Sequence, residues 1–155
     1  MMQVITDANT YRVLWDKVYD EYGFHLSEEA WLSLPQPYKK YRLSALWTEE
    51  QEKLVNGIFM RLCPEMYALD WQHDCFTFSP SEEIPPDTWY YDAERDCNVY
   101  FPCYYPNGDY HFFLSADWYY GLFGHPWREE IYVMGDALIQ AFEAAKDQLN
   151  LSDAE

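Results

Sequence analysis

The hydrophobic positions change their period twice along the chain. From Asn9 to Tyr22, the residues Tyr11, Leu14, Trp15, Val18 and Tyr22 fall on one helical stripe, and Gly23 stands where a C-terminal cap belongs. A second helix opens with Thr48-Glu49-Glu50-Gln51, a capping box with acids in its first turn. Leu54, Val55, Ile58, Phe59 and Leu62 form its apolar face, and Pro64 ends it. A third starts near Gly135-Asp136 and carries Leu138, Ala141, Phe142, Ala145 and Leu149 on its inner side.

Between the second and third helices alternation replaces the helical period. Residues 66–78, 87–92, 98–105, 109–115 and 129–135 are strand-like. Residues 36–44 add an expected edge strand, with Lys39 and Lys40 discouraging further pairing. Residues 79–87 read as a polar, proline-stiffened loop. At Pro106-Asn107-Gly108-Asp109 the Asn-Gly pair predicts a two-residue hairpin turn, with Tyr105 opposite Tyr110 and Tyr104 opposite His111. That register places Phe101, Cys103, Phe112 and Leu114 on the core side. It leaves His111 on the other side with Tyr104 and Phe113, a poor core residue. The order of elements predicts one α+β domain over residues 1–155. It is a mostly antiparallel sheet of about five or six strands with three helices packed against it.

Charge then narrows the function. Ten basic and 27 acidic residues give a net charge of −17, which repels nucleic acid and anionic membranes. Neither a signal peptide nor an apolar run long enough to span a bilayer is apparent, so a cytoplasmic protein is expected. Cys63, Cys75, Cys97 and Cys103 lack any C-x-x-C spacing and read as free thiols; no metal or cofactor is expected of them. From Leu62 to Glu94 there is no Lys or Arg, while Glu65, Asp70, Asp74, Glu82, Glu83, Asp87, Asp92 and Glu94 all fall there. Such a segment suits a docking surface for a basic protein partner. Aromatic residues make up 20% of the chain, an interface-like share. The expected contact residues are Glu82, Glu83, Asp87, Tyr104, His111, Trp118 and Tyr119.

The stretch "GLFGHPW", residues 121–127, reads as a stiff corner before the last strand. Pro126 pushes His125 out of the helical region, and Gly121 and Gly124 permit unusual backbone geometry. A buried structural turn with a trans His125-Pro126 bond is expected, its imidazole bonded to a carbonyl or an aspartate. An alternative is a small metal-dependent or acid–base enzyme centred on His73 and His125, helped by Asp70, Asp109 or Asp117. No P-loop, nucleophile elbow, paired-histidine helix or dinucleotide turn supports it. A third reading is a nucleic-acid mimic that occupies a DNA-binding protein's groove.

Two segments carry a family resemblance. "YALDWQHDCFTFSP" (67–80) and "YYPNGDYHFFLSADWYYGLFGHPWREEIYVMGDALI" (104–139) together resemble an uncharacterised bacterial family, the domain of unknown function 2716. The likeness is strong over about residues 66–150 and loose over the first 60 residues. Where the family pattern suggests Phe after the aspartate, this chain has Trp118. The resemblance implies the fold and the landmark residues but no reaction. By analogy with other small acidic families, it favours an acidic binding protein acting as an immunity protein or inhibitor.

Overall fold

All three helices form on the stripes that predict them. The computed structural model describes residues 1–26 and 30–154. Helix α1 spans Ala8–Tyr22; the Asp7 carboxylate accepts the Thr10 N–H (2.8 Å), and Gly23 closes the helix at φ 60°. Helix α2, Glu49–Leu62, has the full capping box between Thr48 and Gln51. Helix α3 spans Asp136–Ala144.

The strands are β1 (Gln3–Val4), β2 (His25–Leu26), β3 (Ala30–Trp31), β4 (Tyr38–Leu43), β5 (Met66–Asp70), β6 (Cys75–Phe78), β7 (Thr88–Asp92), β8 (Cys97–Phe101), β9 (His111–Ser115), β10 (Gly121–His125), β11 (Glu130–Met134) and β12 (Leu151–Asp153). Eight of them form the main sheet, in the order β1-β6-β5-β9-β10-β11-β4-β12, every neighbouring pair antiparallel. The domain is therefore α+β with a larger sheet than the five or six strands expected. The short β1 and β12 carry too few residues to show alternation. Residues 66–78 hold two strands rather than one, folded back on each other at 71–74.

The sheet is covered on both faces, so β9 and β10 are buried at every position. On one face Leu14, Trp15, Val18 and Tyr22 of α1 pack on Leu69, Phe112, Leu114 and Phe123. On the other, Val55, Ile58 and Phe59 of α2 and Leu138 and Phe142 of α3 pack on Ala68, Phe113, Leu122 and Val133. Strands β7 and β8 pair only with each other, as a ribbon on this second face. Phe101 of the ribbon meets Phe76 and Phe78 at 5.1 and 5.2 Å between ring centres.

Three local expectations are corrected. No hairpin forms at Asn107-Gly108: β8 pairs with β7, and β9 with β5 and β10. Pro102 and Pro106 lack ladder donors, and the N–H groups of Tyr104 and Tyr105 are taken by Glu52 (2.8 and 3.0 Å). Phe101 and Cys103 consequently lie on the α2 face, opposite Phe112 and Leu114, and His111 is buried rather than turned to solvent. Strand β4 is not the edge, because β12 pairs with its Tyr41–Leu43 half. Lys39 beyond that half bonds Glu143 and reaches Asp153 at 3.0 Å.

The third correction concerns the corner. Gly121–His125 is a central strand, and the chain turns only after it. Its glycines answer close approach, not a turn. A Cβ on Gly124 would lie 2.6 Å from Pro106 Cβ and 3.1 Å from Pro106 Cα. Gly124→Val is therefore expected to destabilise by about 1–3 kcal/mol through overpacking, read as a lower urea midpoint. Gly57→Ala in α2, where nothing stands within 4 Å of the added Cβ, should instead stabilise by about 0.5–1 kcal/mol.

Candidate functional site

Two neighbouring features hold most of the chemistry. The first is a groove between the start of α2 and the proline-stiffened loop. A lobe of about 480 Å³ is lined by Trp47, Glu49, Glu52, Pro86, Asp87 and Tyr105. A second lobe of about 250 Å³ shares Glu49, Glu52, Pro85 and Pro86 and adds Glu83 and Tyr104. The walls are firm. Trp47 donates its indole N–H to the Leu149 carbonyl (2.7 Å) and packs edge-on to Tyr105, 5.6 Å away. Asp87 accepts the Tyr100 hydroxyl. Glu52, 5% exposed, forms the floor. Burial pushes its carboxyl up to about 7, against the pull of two backbone N–H groups and nearby His111.

The second feature lies where β5 ends and β9 begins. Asp70, the last residue of β5, pairs with His111, the first of β9, so both side chains point to the α2 face. The β5–β6 turn folds back over them. Asp70 Oδ1 accepts the N–H groups of Gln72 (3.1 Å) and His73 (3.2 Å), which brings His73 Nδ1 to 3.3 Å from the same oxygen. Asp109 enters from the loop before β9. Its Oδ2 takes the Gln72 N–H at 2.7 Å and stands 3.7 Å from His73 Nδ1. His111 Nε2 lies 3.4 Å from Asp70 Oδ2, while its Nδ1 meets the Cys103 carbonyl at 3.2 Å. Cys103 also lines the groove, so the two features share a wall.

The carboxyls of Asp70 and Asp109 are driven apart. Burial pushes Asp109 up to about 7, reinforced by the hydrogen bond to Asp70 and its charge. Burial would raise Asp70 as well, but the His111 ring, the Asp109 hydroxyl and the Gln72 N–H outweigh it and hold Asp70 well below the usual range. Two neighbouring carboxyls pushed in opposite directions are the arrangement that an acid–base pair uses. Among the described residues, Asp70, His73 and Asp109 are also the group able to offer three ligand atoms to one ion, all within 4.8 Å of one another.

His73, Asp70 and Asp109 are therefore brought together as the enzyme alternative requires, but His125 and Asp117 are not. His125 follows Phe123 on the α1 face, with its ring against Tyr110 (5.3 Å). Its Nδ1 accepts the Arg128 backbone N–H (3.3 Å), and its bond to Pro126 is trans. Trp127 beside it is 71% exposed, so the expected buried turn is buried only at His125. Asp117 sits in the β9–β10 turn, bound to the Ser115 hydroxyl (2.7 Å) and the Tyr119 N–H.

Among the expected contact residues, Glu83 and Asp87 line the groove. Glu82 caps the 3₁₀ turn at 80–82 and accepts the Ser79 and Met2 N–H groups (2.8 and 2.7 Å). Two of the expected residues are buried. Tyr104 stacks between Phe59 and Phe113 with its hydroxyl on Asn56, because α2 covers it. His111 is 1% exposed, because its strand is central. Trp118 is occupied by Tyr22, Tyr67 and the Lys17 ammonium, while Tyr119 is exposed beside it, at the far end of β9 from the groove. Asp70 does not belong to any surface. Sequence reasoning missed Trp47, Glu49 and Glu52. The available signal was Glu52, an acid in line with Val55 and Phe59 on the apolar stripe of α2.

Comparisons with known proteins supply a family without adding a reaction. The chain is 45% identical over 124 residues to the uncharacterized protein YxiI of Bacillus subtilis (strain 168), covering 70% of this chain and 72% of that one. No solved structure matches. Residues 5–139 match the family described as protein of unknown function (DUF2716), taking in α1 and α2 as well as the two segments that carry the resemblance; the chain belongs to that family.

Proposed function

We propose that the protein acts by binding, and that the acidic groove beside α2 receives a basic side chain of a protein partner, in the manner of an immunity protein or inhibitor. The observation that carries this reading is the convergence of Glu49, Glu52, Glu83 and Asp87 on one concave site walled by Trp47 and Tyr105. An arginine or lysine in such a groove meets carboxylates and aromatic faces at once. The net charge of −17 steers a basic partner toward the surface. The binding residues of this reading are Glu49, Glu52, Glu83 and Asp87; Glu82 supports the loop that carries the last two.

The test uses Glu49 and Glu83; Glu49 pairs with Lys53 one turn on (3.7 Å), an exposed ion pair whose loss costs little. A double Glu49→Lys, Glu83→Lys variant should keep the wild-type circular dichroism spectrum. In affinity capture from the native host at low salt, basic proteins retained by the wild type should be lost from the variant by about tenfold or more, as removal of two desolvated ion pairs would produce. Capture of the same proteins by both forms would overturn the reading.

The enzyme alternative, centred on His73 and His125, does not keep its pairing, since the two histidines lie on opposite faces of the sheet. What remains of it is the cluster of Asp70, His73 and Asp109.

A further inference from the structure

The geometry points to a binding site for a divalent transition-metal ion, of the zinc or manganese class, held by Asp70, His73 and Asp109. Three separate observations lead there. The first is the spacing. His73 Nδ1 stands 3.3 Å from Asp70 Oδ1 and 3.7 Å from Asp109 Oδ2. Metal–ligand bonds of about 2.0–2.2 Å in a tetrahedral arrangement keep ligand atoms about 3.3–3.6 Å apart. All three ligand atoms lie within 4.8 Å of one another, close enough for one ion to reach them together.

The second is the support around the ligands. The Gln72 N–H bridges Asp70 Oδ1 and Asp109 Oδ2, and the His73 N–H adds to the first. The Tyr110 N–H fixes the other oxygen of Asp109 at 2.7 Å. Outer hydrogen bonds of this kind hold carboxylate ligands in place. Two carboxylates and an imidazole are a hard-to-borderline donor set, suited to zinc or manganese rather than to copper(I) or an iron–sulfur cluster.

The third is a mismatch deep in the site. Asp70 Oδ2 and His111 Nε2 are buried, face each other at 3.4 Å and complete no hydrogen bond. At Nδ1, His111 meets the Cys103 carbonyl, which only accepts, so that nitrogen carries a hydrogen. An ion on Asp70 Oδ1 draws charge from the carboxylate whose other oxygen is left in this unfinished contact. On the outer side His73 is 38% exposed, with the Tyr100 and Trp89 rings 5.1 and 6.1 Å away. An ion here keeps coordination positions open toward that aromatic rim, as catalytic rather than structural sites do.

The experiment is calorimetric titration of the whole chain, stripped with a chelator and dialysed, against Zn²⁺ and Mn²⁺, with Mg²⁺ as a weak-ligand control. One equivalent of Zn²⁺ or Mn²⁺ should bind, and the bound ion should raise the melting temperature. His73→Ala removes a ligand from an exposed turn and Asp109→Asn removes another; each should weaken binding by about 10- to 100-fold or more. His73→Ala should keep the wild-type circular dichroism spectrum, so its loss of binding cannot come from unfolding. His25→Ala, a histidine elsewhere in the fold, should change nothing. Absence of a saturable equivalent for both ions, or binding that survives both His73→Ala and Asp109→Asn, would overturn the assignment.

Discussion

Truncating Phe112 to alanine is expected to lower the unfolding free energy by about 3–5 kcal/mol, the range for deleting a fully buried phenyl ring. The ring lies at the centre of the α1 face, 4.5 Å from Phe123, 5.1 Å from Phe24 and 6.2 Å from both Trp15 and Tyr22. None of these neighbours can collapse into the space without leaving its own partners. Phe113→Ala should cost the same, although Phe113 points the other way, onto Tyr104 at 4.5 Å and Phe78 at 6.4 Å. The pair is the informative measurement. A sheet with one wet face tolerates truncation at one of two successive positions; this sheet, covered on both, tolerates it at neither. Trp127→Ala, at an exposed ring, should stay within about 0.5 kcal/mol of the parent. Denaturant unfolding with an unchanged slope would read all three. A mild Phe113→Ala would mean that the α2 face is not a true second core.

The same two-sided burial explains what the sequence pattern could and could not show. Helices announce themselves by a stripe and by caps, and Asp7, Gly23, Thr48 and Gln51 all act as their residue types imply. Strand β10 gave no such sign. With both faces buried it has no polar positions to alternate, and its two glycines look like turn residues until the neighbours are known. Gly121 faces Met134 and Leu114, and Gly124 faces Pro106, all distant in sequence. The Asn-Gly turn misled for the opposite reason. Its local chemistry was sound, Gly108 indeed adopting φ 78°, but Glu52, more than fifty positions away, had claimed the donors a hairpin needs. The candidate cluster was half legible. Asp70, His73 and Asp109 were recognisable as residue types, yet their meeting depends on the fold of the β5–β6 turn and on the β5–β9 register. His111 was expected at the surface, as a contact residue, only because the hairpin register was wrong.

Glu52 gives the second large effect, and its sign is opposite to that of an ordinary carboxylate. Its folded-state pKa is raised from 4.5 to about 7, because burial outweighs the N–H groups of Tyr104 and Tyr105 and the charge of His111, with Asp87 adding repulsion. Below about pH 4.5 the group is protonated in both folded and unfolded chains and contributes nothing to the difference. As pH rises from 4.5 toward 7 the unfolded chain releases the proton first, so folding loses stability. Above about 7 both forms are ionised and the loss is complete, about 3 kcal/mol at about 1.4 kcal/mol per pKa unit. Glu52→Gln isolates this. The amide accepts only one of the two N–H groups, a pH-independent cost of about 1–3 kcal/mol, but it cannot ionise. The stability advantage of the wild type over Glu52→Gln should therefore be largest near pH 4.5 and shrink by about 3 kcal/mol by pH 7.5, other titrations cancelling in the difference. An advantage that stays level or grows with pH would show that the two N–H groups keep Glu52 ionised throughout. The titration also reaches the proposed function. A cation seated in the groove favours the ionised form of Glu52, so binding a basic partner near neutral pH should release a proton and tighten as pH rises through 7.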